Sequence, residues 1–425
     1  MVTFGSFALD VRGEQLLRAG REIKVRRQVF HALRVLAMRT GQRVSRDELI
    51  AEAWGGTHVS PHTVDVTITD ARKALGDCSN WISRVNGGRY RLMVPASDPL
   101  IERGLHLLTH NTGESLRDAL SCFTEAAAHA AFDPRAFHGQ CACHLALVSF
   151  GLTDGVTAWR RFHAAHTRAA ALIESPILRA DYGYGLLLCQ RDVEGAERHL
   201  CQAIAAAPDQ PLTCVRMMAV AVAKGDLDAA LDWAMRGRRA GPLMSSTSVA
   251  LAAAHVWRRE FAAAAHVGGE AVRLHPHCFL ARVFYGNALQ CSGRVQEALA
   301  AYRVASTLSD ALPWTRALEA ACLVQLNEWR SAGVILDELI ERQRSEYVDP
   351  FAMAYLRAAQ GETRQAIAAL DEAVDTSNGR WYTLACDPLF DNLRKHSAFR
   401  ALCDEQSAPS AWMPMRCQME NNIQS

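Results

Sequence analysis

The sequence has no long apolar run. Its 425 residues contain no stretch of about 18 or more uncharged apolar side chains, the minimum for a membrane-spanning helix. The opening MVTFGSFALDVRGE lacks the basic and then apolar pattern of a secretory signal peptide. The 13 cysteines are odd in number and form no C-x-x-C pair, which favours reduced thiols over a disulfide framework. We therefore expect a cytoplasmic protein without a membrane partner.

Motifs that carry catalysis are also missing. The sequence has no phosphate-binding G-x-x-x-x-G-K-[ST], no G-x-G-x-x-G after a strand, no H-E-x-x-H and no G-x-S-x-G. Without such a motif, scattered Asp, Glu and His residues are expected to be surface residues. We expect neither an enzyme nor a bound cofactor.

Lysine is scarce, and the positive charge is unevenly distributed. Only 4 of the 46 basic residues are lysine, so any phosphate contacts would come mostly from forked guanidinium groups. Residues 1–97 hold 15 Lys and Arg against 9 Asp and Glu, a net charge of +6. The remainder holds 31 against 36, a net charge of −5. A basic head on an acidic body is typical of a protein whose head binds nucleic acid.

The most informative segment is VSPHTVDVTITDARKALGD, residues 59–77. Ser60 is suited to cap a helix, and Pro61 to occupy the first helical position. An apolar stripe then recurs at helical spacing, formed by Val64, Ile68, Ala71 and Leu75. The spacing predicts a helix over 61–75 whose opposite face carries groups able to hydrogen-bond outward: His62, Thr63, Thr67, Thr69, Asp70 and Lys73.

The flanking residues predict the rest of a small α+β domain. Phe4, Phe7 and Leu9, together with residues 22–25, are suited to a sheet, and Gln28–Met38 to a first helix. Ser45 and Glu48 have the spacing of a capping box that starts a second helix ending near Trp54. ISRVNGGRYRL, residues 82–92, is typical of a β-hairpin.

In order and spacing, this segment resembles the OmpR/PhoB-type winged-helix domain of transcriptional regulators. The resemblance covers roughly residues 1–95 and predicts binding to double-stranded DNA. The ending T-D-A-R-K-A-L-G-D is similar to that of HilA/CadC-like members, which carry further domains after the winged helix; the transmembrane helix of the CadC-like ones is not expected here. Two departures alter the family's pattern in the wing, where Asn86 and Arg89 replace an Arg and a Gly.

The resemblance implies a role for each polar residue of the predicted domain. The helix would enter the major groove with His62, Thr63, Thr67 and Asp70 nearest the base edges. Thr69, Arg72 and Lys73 would face phosphates, and Arg89 on the wing would reach the backbone or the minor groove. The loop before the helix would contact RNA polymerase, through Gly55, Gly56, Thr57 and His58.

A second pattern governs the remainder of the chain. Alanine recurs at a constant spacing of 34, at Ala196, Ala230, Ala264, Ala298, Ala332 and Ala366. A period of 34 with two helices per unit is the tetratricopeptide pattern, in which a small residue lies where paired helices cross. We predict six regular repeats, at 177–210, 211–244, 245–278, 279–312, 313–346 and 347–380, with an earlier unit near 100–133.

These patterns define the predicted architecture. The chain is mainly α, with a winged-helix domain at 1–97, a tetratricopeptide-like solenoid at 98–405 and a disordered tail at 406–425. Residues 95–99 form the expected linker, and residues 387–399 would cap the last repeat.

The first helix of each repeat would line a groove for a protein partner or a second copy of the chain. Helical phase places six residues there: Arg216, His255, Arg282, Asn287, Arg316 and Arg357. They are either an ordinary solvated face or a partly basic surface for an acidic peptide or ligand.

One cluster has metal-ligand chemistry. His138, Cys141 and His144 recur every three residues, with Cys143 beside them, so three of the four would share a helix face. Packing inside a repeat is the alternative, because no established ligand spacing supports a metal site.

Taken together, the patterns predict a one-component regulator that binds DNA, more readily an activator than a repressor. The alternative is a repeat scaffold whose winged helix binds DNA weakly or not at all.

Overall fold

The structure is a computed structural model, and it describes residues 2–4, 7–18, 21–57, 59–85, 88–94, 98–129, 133–376 and 379–407. Residues 95–97 of the expected linker at 95–99 lie outside the described residues, and Pro99 already begins a helix. Most of the expected tail, 408–425, also lies outside the described residues. The described residues belong to two compact units. One falls within Met1–Arg103, Cys122–Phe137 and Thr167–Ser175, and the other within Gly104–Ser121, His138–His166 and Pro176–Ser425.

The first unit begins with an antiparallel four-stranded sheet in the order β1-β2-β3-β4. Its strands are β1 Val2–Phe4, β2 Phe7–Asp10, β3 Gln15–Arg18 and β4 Arg21–Ile23. Leu9 lies opposite Leu16 in the register, and both side chains are fully buried. The prediction therefore missed β3 and placed the fourth strand one to two residues late.

Three helices and a hairpin complete this part of the chain. The helices are α1 Arg27–Met38, α2 Arg46–Ala53 and α3 Pro61–Leu75, and the hairpin pairs β5 Ile82–Val85 with β6 Arg89–Leu92. A 3-10 segment, Gly76–Trp81, joins α3 to the hairpin. An isolated bridge between Val44 and Tyr90 attaches the hairpin to the segment before α2. This is the predicted winged-helix arrangement.

The remaining helices are paired. Those up to the first regular repeat are α4 Pro99–Leu108, α5 Gly113–His129, α6 Pro134–Ser149 and α7 Gly155–Leu172. The regular pairs are α8 Pro176–Gly185 with α9 Val193–Ala206, α10 Pro211–Ala223 with α11 Leu227–Ala240, α12 Ser245–Trp257 with α13 Phe261–Leu274, α14 Phe279–Cys291 with α15 Val295–Leu308, α16 Pro313–Gln325 with α17 Trp329–Arg342, and α18 Pro350–Ala359 with α19 Thr363–Asp375. A final helix is α20 Ser397–Ser407.

Each predicted repeat contains one helix pair, and the spacing of alanine has the predicted structural cause. All six alanines of the 34-residue series are at most 1% exposed, at the start of the second helix of each pair. The turn between the paired helices needs a left-handed backbone, with φ between +55° and +78° in every repeat. Glycine fills that position in three repeats, at Gly225, Gly293 and Gly361, and larger residues in the others, at Arg191, Arg259 and Asn327.

The chain after α19 does more than cap the last repeat. We call residues 379–396 the C-terminal strut. Its 3-10 turns, Trp381–Thr383 and Pro388–Leu393, contact α10, α14 and α18, which are all first helices of their pairs. The Trp381 indole Nε1 donates to the Leu187 carbonyl oxygen at 2.9 Å, across 194 residues of chain. The strut therefore lies along the face that the first helices form.

Apolar burial holds the strut in place. Trp381, Leu384, Phe390 and Leu393 are at most 2% exposed, and the Phe390 ring stacks on Tyr355 with centroids 4.7 Å apart. Burying four side chains of this size contributes roughly 6–12 kcal/mol as an upper bound. The predicted cap at 387–399 thus contacts the last repeat, through Pro388–Leu393 on α18 and through α20 on α19, but its first part also packs on α14 of an earlier repeat.

Candidate nucleic-acid interface

The helix α3 is fixed at its start by the residues that the sequence predicts. Ser60 Oγ accepts a hydrogen bond from the Thr63 backbone N–H at 3.2 Å, and Pro61 occupies the first turn. The four stripe residues, Val64, Ile68, Ala71 and Leu75, are at most 1% exposed and pack in the core of the domain. One side of α3 is therefore committed to the core, which leaves the other side to solvent.

The exposed side of α3 is a second stripe at helical spacing. Its members are His62, Val66, Thr69 and Lys73, with Thr63 beside them at the helix start. The Lys73 side chain is 75% exposed, and Val66 is 38% exposed. The sequence prediction named only polar side chains on the outward face and therefore missed Val66. Its spacing from His62 and Thr69 places it on the same face. Three hydrogen-bonding side chains, an ammonium group and two methyl groups thus form one surface.

Two predicted interface residues lie off this exposed stripe. Thr67 is only 7% exposed, and its hydroxyl donates to the Thr63 carbonyl oxygen at 2.9 Å. Thr67 directly precedes the buried Ile68, so it lies on the flank of the core stripe. The Asp70 side chain is 22% exposed and forms an ion pair with Arg26 at 3.0 Å, just before α1. Its carboxylate therefore serves the contact between α3 and the start of α1.

Asp65 joins the second helix, the third helix and the wing. Arg46 Nη2, at the start of α2, donates to both carboxylate oxygens of Asp65 at 2.8 Å. The Tyr90 hydroxyl, on β6, donates to the same carboxylate. Hydrogen bonds from Tyr90 and then from Arg46 lower the pKa of Asp65, whereas burial raises the pKa of Tyr90. Residue spacing carried no signal for this cluster, because its members lie 19 and 25 residues apart.

The wing carries its basic residues on exposed strand positions. Arg84 on β5 and Arg89 on β6 are both exposed, and Gly88 before Arg89 has a φ of +69°. Asn86 and Gly87, at the predicted tip, lie outside the described residues. Arg72 of α3 is half-buried and its Nε donates to the Ile82 carbonyl oxygen at 2.9 Å, which ties α3 to β5. Arg72 therefore has a structural contact that its predicted role did not include.

The loop after α2 is exposed and depends on two glycines. Gly55 and Gly56 have φ values of +63° and +80°, and neither has a neighbour close to the position of an added Cβ. Thr57 is exposed, and His58 lies outside the described residues. The loop therefore presents backbone and one hydroxyl group to solvent.

Five of the six predicted groove residues of the helical body are engaged in internal contacts, whereas Arg282 Nε has no hydrogen-bond partner among the described residues. Arg216 is only 8% exposed at its side chain and is paired with the buried Asp181. Arg316 donates to Glu338 at 2.6 Å and to Glu319 at 2.7 Å, and Arg357 pairs with Glu362. His255 contacts Glu260 at 2.6 Å, and Asn287 accepts from the Tyr302 hydroxyl at 2.7 Å. The idea of a free basic groove was therefore wrong at these positions, since local carboxylates neutralise most of them.

The four residues with metal-ligand chemistry do not converge. His138 Nε2 lies 2.7 Å from an Asp181 oxygen, whereas Cys141 lies within 4.0 Å of the Phe162 carbonyl. Burial lowers the pKa of His144 to about 4. Within the described ranges, no group of three or more His, Cys, Asp or Glu side chains has the arrangement of a metal site. Packing explains Cys141, Cys143 and His144, which are all buried.

The fold and the exposed helix define a class of protein domain. A four-stranded sheet, three helices and a hairpin, with the third helix capped and outward-facing, form a winged-helix DNA-binding domain of the OmpR/PhoB type. Residues 20–92 match the family model described as "Transcriptional regulatory protein, C terminal". The N-terminal part of this chain is therefore a DNA-binding domain of transcriptional regulators, and the remainder is a tetratricopeptide-like series of helix pairs.

One relative among curated proteins is the transcriptional activator CadC of Escherichia coli (strain K12). The two chains are 31% identical over 99 residues, which is 22% of this chain and 19% of CadC. The match thus spans about a fifth of the length of each protein. It supports the N-terminal domain and does not extend over the helical body.

Solved structures are similar to this chain at low identity. Human IFIT1, in a dimer with m7Gppp-AAAA, is 14% identical with a TM-score of 0.49, over 87% of this chain and 83% of that one. A thermophilic TPR protein of Thermus thermophilus is 15% identical with a TM-score of 0.34, over 54% and 99% of the two chains. Separately, none of the described helices is both long enough and apolar enough to cross a bilayer.

Proposed function

We propose that this chain is a one-component transcription regulator that binds double-stranded DNA through α3. The observation that carries the proposal is the exposed stripe of His62, Val66, Thr69 and Lys73 on a helix fixed by its cap, its core stripe and Asp65. Such a helix fits the major groove of B-DNA, which is about 12 Å wide. The rigid placement matters because base contacts require side chains in defined positions.

The contacts divide between bases and phosphates. His62, Thr63 and Thr69 would hydrogen-bond to base edges or nearby phosphates, and the Val66 methyl groups would pack against a thymine methyl group. Lys73 would contact a phosphate, while Arg84 and Arg89 of the wing would reach the backbone or the minor groove. Base contacts would set the sequence preference, and phosphate contacts would set the salt dependence.

Two further roles rest on the family resemblance. The loop of Gly55, Gly56 and Thr57 would contact RNA polymerase, and two copies would bind direct-repeat half-sites. Activation rather than repression is inferred from the name of the relative, a transcriptional activator. The helical pairs would supply self-association or a partner surface, and such a surface would have to avoid the face that the strut covers.

Selection from genomic DNA tests the proposal. Full-length protein is incubated with sheared DNA from the source genome, and the retained fragments are sequenced. We expect enrichment of a shared motif, and loss of that enrichment in a variant that carries Val66→Glu and Lys73→Glu. The matched control carries Val334→Glu and Lys395→Glu, which change one exposed valine and one exposed lysine outside the winged helix.

The alternative is a repeat scaffold whose winged helix does not bind DNA tightly. It is favoured by Thr69 and Asp70 of α3 and by Asn86 of the wing, which are not basic at positions where relatives often carry basic residues. If the full-length protein enriches no motif even at low salt, or if both double variants retain the same fragments as the unmodified protein, the scaffold interpretation replaces the regulator.

A further inference from the structure

A cavity of about 260 Å³ lies between the first helices of three repeats and the C-terminal strut. Its walls come from α14, α16 and α18 on one side and from the 3-10 turn Pro388–Leu393 on the other. This volume is close to that of the smallest ligand pockets. The lining residues are Gln290, Cys291, Ala321, Gln325, Tyr355, Ala359, Pro388, Leu389 and Asn392.

Gln290 is the strongest indication of a ligand. This residue is only 7% exposed, and the Tyr302 hydroxyl lies 2.9 Å from one end of its side-chain amide. Whichever way the amide is turned, the other end has no hydrogen-bond partner among the described residues. The free end of the amide is not among the buried polar atoms that lack a partner, so it is accessible from the cavity and can hydrogen-bond to a molecule that enters there.

Two more carboxamides are available around the same cavity. Gln325 makes no side-chain hydrogen bond within the described part of the chain, and it is exposed at the cavity mouth. Asn392 donates its Nδ2 to the Ala358 carbonyl at 2.7 Å, which leaves its oxygen as an acceptor. Cys291 contributes a thiol that stays protonated, because burial raises its pKa to about 12. The cavity thus offers several neutral donors and acceptors.

The charged groups beside the cavity are already compensated. Asp387 accepts from the Tyr355 hydroxyl and from the Leu389 backbone N–H, and burial raises its pKa. Asp391 pairs with Arg259 and Arg394. A charged ligand would lose its hydration without meeting an unpaired opposite charge, which is costly. The chemistry of the walls therefore selects an uncharged molecule.

We propose that this cavity binds a small uncharged molecule that bears several hydroxyl groups or a carboxamide. The ligand would hydrogen-bond to Gln290, Gln325 and Asn392, and pack against the apolar surface of Ala321, Ala359 and Leu389. Because repeat helices form one wall and the strut forms the other, the bound ligand stabilises the contact between them. The proposal concerns the helical body and is independent of DNA binding.

The experiment compares neutral probes with charged analogues of the same size. D-glucose is set against D-gluconate and D-glucosamine, and nicotinamide against nicotinate, each added to the full-length protein. Ligand-observed saturation-transfer NMR detects binding, and calorimetric titration gives the dissociation constant. We expect binding of D-glucose or of nicotinamide, with the charged analogue at least about ten-fold weaker. Binding of D-glucose would identify a polyol ligand, and binding of nicotinamide would identify an amide ligand.

Two variants locate the site. Gln325→Ala removes an exposed amide with no protein partner, and should weaken the bound probe by about two- to ten-fold, as expected for one hydrogen bond. Ala359→Leu fills the cavity and should abolish binding. Gln365→Ala, an exposed glutamine of α19 that does not line the cavity, is the matched control and should bind as the unmodified protein does.

Three results would overturn the proposal. The first is that no neutral probe binds at about 20 mM, which would exclude even millimolar affinity. The second is that charged analogues bind as tightly as the neutral probes. The third is that Gln325→Ala and Ala359→Leu, with unchanged circular dichroism spectra, both bind like the control variant.

Discussion

At the scale of single residues, α3 assigns neighbouring side chains to different tasks. Asp65 and Asp70 hold the helix to α2, the wing and the start of α1, whereas Thr69 and Lys73 between and beyond them face solvent. A carboxylate bound by arginine in this way offers little to a cytosine amino group. The outward chemistry of the helix is therefore less acidic than the residue types alone indicate.

The Lys73→Ala variant tests the phosphate contact. Removing one exposed ammonium group that contacts a phosphate should weaken binding to all DNA sequences by a similar factor. The slope of log K against log salt should fall in magnitude by about 0.9, which is one counterion. Fluorescence anisotropy at several salt concentrations measures both quantities. Lys395→Ala removes the same charge from the body and should leave the slope unchanged; an equal change in both variants would contradict the assignment.

His144 predicts a pH dependence of the helical body. Burial lowers its pKa from the ordinary value of 6.5 to about 4, so the unfolded chain binds the proton more readily than the folded chain. Stability is therefore full above pH 6.5 and falls as the pH drops towards 4, by about 2 kcal/mol at pH 5. In His144→Gln, where the side chain stays neutral, urea unfolding should show a smaller loss between pH 7 and pH 5. An undiminished loss would mean that other groups cause it.

At the scale of secondary-structure elements, the regular repeats depend on one backbone conformation between paired helices. Six turns use a positive φ, and glycine occupies three of them. Arg259 adopts the same conformation, but its guanidinium also pairs with Asp391 of the strut. The residue type at the turn between paired helices therefore has one of two causes. Glycine is used where only the backbone conformation matters, and a larger residue such as Arg259 can also make a long-range contact.

Gly225→Ala tests the backbone requirement. A Cβ at a φ of +75° is strained, and the variant should lose about 1 kcal/mol of stability in spite of a less flexible unfolded chain. Gly333→Ala is the control, since that glycine lies inside α17 with no neighbour close to an added Cβ. It should gain about 0.5–1 kcal/mol. Chemical denaturation of both variants measures the change in the free energy of unfolding, which should be negative for Gly225→Ala and positive for Gly333→Ala. A stabilised Gly225→Ala variant would contradict the backbone requirement.

Local signals in the sequence predicted most of these elements. The cap at Ser60, the capping box at Ser45 and the alanine series act within one turn or one repeat, so residue spacing reveals them. Contacts between distant residues leave no such signal. Arg46 and Tyr90 look like ordinary surface and core residues until the fold places them on Asp65. For the same reason, helical phase identified the first-helix face but not the strut that covers it.

At the scale of the whole molecule, the strut changes the character of the repeats. In a solenoid whose helix pairs contact only their neighbours, parts of the chain can unfold separately. Its free energy of unfolding is then approximately the sum of the stability of each repeat and of the interfaces between neighbouring repeats. The hydrogen bond from Trp381 to the Leu187 carbonyl connects the strut, which follows the last repeat, to the first regular repeat. We therefore expect the regular repeats and the strut to unfold as one cooperative unit.

Trp381→Ala should weaken that cooperativity. Loss of a buried indole costs about 3–5 kcal/mol, and the transition should broaden or divide as the repeats separate into smaller units. Calorimetry of the full-length protein measures both effects. Trp329→Ala is the control, because that tryptophan is 53% exposed at the start of α17. A sharp single transition in Trp381→Ala would mean that the repeats are coupled without the strut.

The position of the strut also sets an order of events during synthesis. Leu187 is synthesised long before Trp381. At about 5–20 residues per second, translation of the 194 residues between them takes roughly 10–40 s. The helix pairs that have already been synthesised can form within that interval, while the apolar face that will receive the strut is still uncovered. For each newly made molecule, that interval is when the body is most exposed to aggregation and to chaperones.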